Sequence, residues 1–126
     1  MPVHVSVSLS VCVCLVPPRI DLSLASRSNL SVIVGRSISV DCPVTGIPQP
    51  NLVWTKDGRL LSASQDDDIR VVSRGQRLEV NRADLGDAGR YKCLAKNAAG
   101  FNERDFQLHV WGQFCCIIFY LLFFCY

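Results

Sequence analysis

Apolar side chains in this sequence recur with a period of two. From Leu30 to Val110 they alternate with polar ones in short runs that end at Gly, Pro, Asn or Asp, and no window of a dozen residues carries a helical stripe. Such a chain builds strands joined by turns. Leu30, Val32 and Val34 alternate ahead of Gly35, and Ile38, Val40 and Cys42 alternate ahead of Pro43. Leu52 and Trp54 share a face that ends at Asp57-Gly58, a dipeptide suited to a tight hairpin because glycine accepts positive φ. A short return strand is expected over 59–61 and another over 69–73, after which Arg74-Gly75 turns the chain again. Leu78 and Val80 point inward while Arg77 and Glu79 point out, as in a strand with one wet face. From Gly89 onward Tyr91, Cys93, Ala95 and Asn97 fall on one face and Arg90, Lys92 and Lys96 on the other, with Leu94 the exception. After the turn at Ala98-Ala99-Gly100, the residues Phe106, Leu108 and Val110 supply a last strand. Roughly eight or nine short strands of this kind predict an all-β sandwich or barrel.

Every charged side chain lies between Arg19 and Asp105, and the composition of that segment suits one small domain, placed at 19–110. With 13 basic and 11 acidic residues the net charge is +2, which supplies no broad basic footprint for nucleic acid. The ends differ from this middle. Residues 1–18 are biased toward apolar side chains but lack a basic start and a small-x-small cleavage site, and Val3-His4-Val5-Ser6-Val7-Ser8 alternates where a signal peptide has a Leu/Ala core. The segment reads either as signal-like or as a translated non-coding dinucleotide repeat. Residues 111–126 contain an uninterrupted apolar run from Phe114 to Tyr126. As a helix it spans ~20 Å against a hydrocarbon core of ~30 Å, and no Lys or Arg follows it. The tail reads as a truncated membrane segment or, by preference, an artificial terminus. A membrane is an expected partner only if the run belongs to a real span.

Seven cysteines, at 12, 14, 42, 93, 115, 116 and 125, form an odd set of which only Cys42 and Cys93 lie in the charged middle. They are the natural pair, and a long-range bridge in a small domain points to an oxidising compartment. Neither Cys12/Cys14 nor Cys115/Cys116 has the matching Cys or His pair that zinc requires. Asp66-Asp67-Asp68 lacks the spacing and the Gly of a calcium loop and reads as solvated loop. No metal or cofactor is expected. His4 and His109 are isolated, no nucleophile, base and orienter are suggested, and glycine-rich phosphate loops are absent, so a non-catalytic protein is expected.

Trp54 stands twelve residues after Cys42, and Tyr91 two residues before Cys93. The stretches Cys42-Pro43-x-x-Gly46-x-Pro48-x-Pro50, Trp54-x-Lys56-Asp57-Gly58, Leu78-x-Val80 and Ala83-Asp84-x-x-Asp87-Ala88-Gly89-Arg90-Tyr91-x-Cys93-x-Ala95-x-Asn97-x-x-Gly100 resemble the intermediate (I-set) family of the immunoglobulin superfamily, from about Pro18 to Val110. The resemblance implies a two-sheet sandwich with one inter-sheet disulfide, Cys42 to Cys93. It also implies that Trp54 packs against the sulfurs with its indole N–H on a partner, that Leu78 lies in the core, and that Tyr91 buries its ring and bonds backbone near Asp87. Gly89 is expected to meet a backbone constraint, and Asp87 to pair with Arg70. These are framework roles.

The wording of these motifs is similar to repeats of hemicentin- and peroxidasin-type matrix and adhesion proteins. It implies an extracellular recognition or adhesion module, one repeat of a larger secreted or cell-surface protein, that binds other surface or matrix proteins homophilically or heterophilically. The same set also occurs in intracellular structural repeats of titin-like muscle proteins, where the cysteines stay reduced. The sequon Asn29-Leu30-Ser31 is a candidate N-glycosylation acceptor near a strand edge and favours the extracellular alternative. Arg70, Arg74, Arg77 and Arg82 form a basic cluster along one hairpin that suits acidic glycans or an acidic partner, although alternating charges on a wet sheet face ordinarily just solvate it.

Overall fold

A computed structural model describes residues 14–61 and 68–112 of the chain. Its strands are β1 (Val16–Ile20), β2 (Asn29–Ile33), β3 (Ile38–Asp41), β4 (Val44–Ile47), β5 (Asn51–Lys56), β6 (Arg59–Leu60), β7 (Ile69–Val72), β8 (Arg77–Val80), β9 (Gly89–Asn97) and β10 (Gly100–Trp111). A 3-10 turn, Leu85–Asp87, leads into β9. One sheet has the order β2-β10-β9-β5-β6, a second has β3-β8-β7, and β1 pairs with β4. Pro43, which has no N–H to donate, separates β3 from β4. The pairs are antiparallel except for β2 beside β10.

The sandwich follows from the alternation. Val40 and Cys42, with Leu78, Val80 and Ile69, face Trp54, Tyr91, Cys93, Ala95, Phe106 and Leu108 of the larger sheet, and these residues form the buried core. The Cys42–Cys93 disulfide ties the two layers together. The architecture is the immunoglobulin-like sandwich that the motifs imply, and the barrel alternative falls away.

Two strands were not anticipated by the alternation. β1 begins at Val16, ahead of the expected boundary at residue 19, and runs through Pro17 and Pro18. Prolines cannot join a central ladder but are tolerated on an edge, where β1 lies. Side-chain amides of the larger sheet also fasten this strand: Asn97 Nδ2 donates to the Val16 carbonyl at 2.8 Å and Asn102 Nδ2 to the Pro18 carbonyl at 3.4 Å. β4 is hidden in sequence by Gly46 and by the flanking Pro43 and Pro48. The readings of 1–18 as signal-like and of 111–126 as an apolar tail fall largely on residues outside those described, as does most of the Asp66-Asp67-Asp68 loop.

The constraint expected at Gly89 has a specific cause. Asp57, at positive φ in the β5–β6 turn, accepts the Arg90 N–H on Oδ1 at 3.0 Å, and its own N–H donates to the Arg90 carbonyl at 2.8 Å. A Cβ on Gly89, whose φ is +154, would lie 2.7 Å from Asp57 Oδ2. Gly89→Ala must therefore displace that carboxylate and strain the backbone, at a cost of about 2 kcal/mol. Urea unfolding midpoints check this. The penalty is expected to shrink in an Asp57→Ala background, because the displaced group is then already gone.

Candidate recognition surface

Trp54 pairs in register with Cys93 across β5 and β9. Its indole N–H donates to the Gly75 carbonyl at 2.7 Å, and its ring stacks on Phe106 with centroids 5.8 Å apart. Tyr91 is buried, and its hydroxyl donates to the Asp87 carbonyl at 2.6 Å. The expected pair between Asp87 and Arg70 is not formed among the described residues. The Asp87 carboxylate turns back on its own 3-10 turn and accepts the Asp84 N–H at 2.8 Å. Arg70 is exposed on β7, opposite Glu79 of β8.

The four arginines proposed as a basic cluster are all exposed, yet acids interleave them. Arg77 Nε lies 2.7 Å from Asp41 Oδ1. That hydrogen bond first, and the carboxylate's charge second, hold the guanidinium pKa above its ordinary value. Arg82 lies 3.4 Å from Asp68, and Arg70 stands across from Glu79. Arg74 occupies the β7–β8 turn at positive φ. Interleaved in this way, the charges make a mixed, solvated surface instead of a single basic field. Among the described residues no group of three His, Cys, Asp or Glu side chains is placed to hold a metal ion.

The outer face of the five-stranded sheet has a different character. Register sets Leu94 of β9 beside Val53 of β5 on one side and Glu103 of β10 on the other. In the row toward the β9–β10 turn Lys96 stands beside Phe101, and in the row below Lys92 stands beside Asp105 and Thr55. Lys92 Nζ reaches Glu103 at 3.2 Å and Asp105 at 3.9 Å. Phe101 is 65% exposed and Val53 41%, on a face where alternation ordinarily places polar groups. A hollow of about 460 Å³ is lined by Asn51, Val53, Leu94, Lys96, Asn97 and Ala98. The one sequence signal for this patch is the failure of Leu94 to fit the polar side of β9. Asn29 is exposed at the start of the edge strand β2, two strands from β9, next to Gln107.

Comparison with known proteins adds sequence and fold relatives. A family model described as the Immunoglobulin I-set domain matches residues 22–110. Hemicentin-1 of Mus musculus is 41% identical over 93 residues, covering 74% of this chain and 2% of the relative. Neural cell adhesion molecule 1 of Homo sapiens is 32% identical over 96 residues, covering 75% of this chain and 11% of the relative. The chain thus spans only a small fraction of the curated relatives it matches. Among solved structures, Drosophila OTK extracellular domains 3-5 superimpose with a TM-score of 0.68 at 28% identity, over 76% of this chain and 32% of that one. Titin domain M7 superimposes with a TM-score of 0.67 at 26% identity, over 78% of this chain and 97% of that one.

Proposed function

The chain belongs to the immunoglobulin I-set family, and from that premise we propose that it is an extracellular protein-recognition module, one adhesive repeat of a larger cell-surface or matrix protein. The observation that carries this reading is the apolar centre of the outer sheet face, where Val53 and Phe101 meet solvent beside the half-buried Leu94. Exposed apolar groups rimmed by charge mark protein contact surfaces. The likeness to a neural cell adhesion molecule supports an adhesive role, and family members of this kind act by binding and not by catalysis. In this reading residues 19–110 and the β1 residues just before them form the working module. Acidic glycans are the lesser partner, because Arg77 and Arg82 already face Asp41 and Asp68.

A titin-like intracellular structural repeat is the second reading, supported by the superposition on titin domain M7. Redox state separates the two, because a Cys42–Cys93 bridge persists in oxidising compartments and seldom in the cytosol. The full chain expressed in a secretory eukaryotic host is expected in the medium, cleaved ahead of Val16 so that β1 stays with the module. Its intact mass is expected to rise by two hydrogens on reduction and to include a glycan on Asn29. An uncleaved, retained chain with free Cys42 and Cys93 would overturn the extracellular reading and put the titin-like one ahead.

A further inference from the structure

We infer that the outer face of the five-stranded sheet recognises a second copy of itself across a two-fold axis, with the two sheets crossing near right angles. This inference rests on the recognition reading above and names its partner. Its starting point is the layout of charge around Leu94. The cations Lys92 and Lys96 stand on β9, the anions Glu103 and Asp105 stand on β10, and Val53 lies on the far side on β5. Lys92 is matched by both acids of its own chain, whereas Lys96, one row away beside Phe101, forms no ion pair among the described residues.

An isologous contact brings each patch onto itself, so the pattern must be complementary under the two-fold. Packing with strands parallel or antiparallel fails that test. An axis along β9 sets Glu103 over Val53, and an axis across the strands through Leu94 sets Lys96 over Lys92. A diagonal axis through Leu94 and Phe101 succeeds. It exchanges the strand direction for the cross-strand direction, as in orthogonally packed sheets. Neighbouring strands lie about 4.8 Å apart and alternate residues of a strand about 6.8 Å apart. Glu103, one strand from Leu94, therefore falls over Lys96 of the other copy, one row from Leu94, within the reach of both side chains. The symmetry makes this pair twice. Leu94 and Phe101 then meet their own counterparts on the axis, and Val53 falls against the aliphatic stem of Lys92. Asn29 lies two strands and two rows from Leu94, so a glycan there stands clear of the contact.

The symmetry supplies its own test. The full secreted chain is displayed on beads of two colours, and each variant is first checked for an intact disulfide and an unchanged urea midpoint. Wild-type beads are expected to clump with one another, and Leu94→Asp beads with nothing. Glu103→Lys beads and Lys96→Glu beads are each expected not to clump with themselves, because both copies of the ion pair become repulsive and self-affinity falls ~100-fold. Mixed together, the two variants are expected to clump as wild type does, because each pair then regains opposite charges. Single variants that clump like wild type, or a mixture that fails to clump, overturn the inference. If wild-type beads do not clump but bind cell surfaces in a way that Leu94→Asp abolishes, the partner is another protein: the inference is overturned while the recognition reading stands. If Leu94→Asp alters neither behaviour, both fail.

Discussion

Replacing Cys42 and Cys93 together by Ala is expected to cost about 4 kcal/mol and to lower the melting temperature by roughly 15–30 °C. The bridge joins residues 51 apart in sequence. In the chain-entropy account its main effect is on the denatured chain, which loses the conformations in which those residues lie far apart. A domain of this size has a total stability of only about 5–15 kcal/mol, so the loss is a large share of the whole. Both cysteines are fully buried in the core, Cys93 beside Trp54 in register, and the Ala side chains leave little void by comparison with the lost constraint. Calorimetry of the double variant, and of the wild type with and without reductant, checks the prediction. Reduced wild type and the double variant are expected to melt together, and a gap below about 1 kcal/mol between bridged and unbridged protein would show that packing alone holds the layers. The same measurement bears on location, because a module that loses this much on reduction is poorly suited to the cytosol.

The alternating strands were legible in sequence because their inward residues form the core. Tyr91, Cys93 and Ala95 on β9, and Leu78 and Val80 on β8, read correctly as one buried face. The alternation fails where an inward position is polar or an outward one apolar. Arg104 lies on the inward parity of β10, where its guanidinium sits 5.3 Å over the Phe106 ring and Nη2 donates to the Ser26 carbonyl at 3.0 Å. That arginine ties the crossing from β1 to β2 onto the sandwich, and it kept the first half of β10 from reading as a strand. Conversely, Val53 and Phe101 face solvent, and neither signals in sequence that it neighbours Leu94 or Lys96. Cross-strand neighbours depend on register, which long-range pairing sets and which single-strand patterns do not encode. The Arg70–Asp87 expectation failed for a related reason. A carboxylate beside free N–H groups of its own turn is satisfied locally before it can reach a neighbouring strand.

Trp54 gives the second large effect, and its two functions can be separated by two substitutions. The side chain is 1% exposed, lies next to Cys93 in register and stacks on Phe106. Trp54→Ala removes the largest buried apolar group in the core and leaves a cavity that the cross-linked layers cannot close, at an expected cost of about 3–5 kcal/mol by the measure of other buried aromatics. Trp54→Phe keeps most of the ring contact but removes the indole N–H, which leaves the Gly75 carbonyl without the 2.7 Å bond that holds the β7–β8 turn against β5. Gly75 is itself confined there, at φ +87, with Leu52 Cβ 2.9 Å from where its own Cβ would stand. The turn therefore has little freedom to find another donor, and the Phe variant is expected to lose about 1–3 kcal/mol. Chemical denaturation of both variants measures the two costs, and hydrogen exchange at the amides of the β7–β8 turn locates the second. If Trp54→Phe is as stable as wild type, water replaces the indole at Gly75 and packing alone accounts for the tryptophan. If it is as unstable as Trp54→Ala, the hydrogen bond and not the ring volume secures the hairpin to the larger sheet.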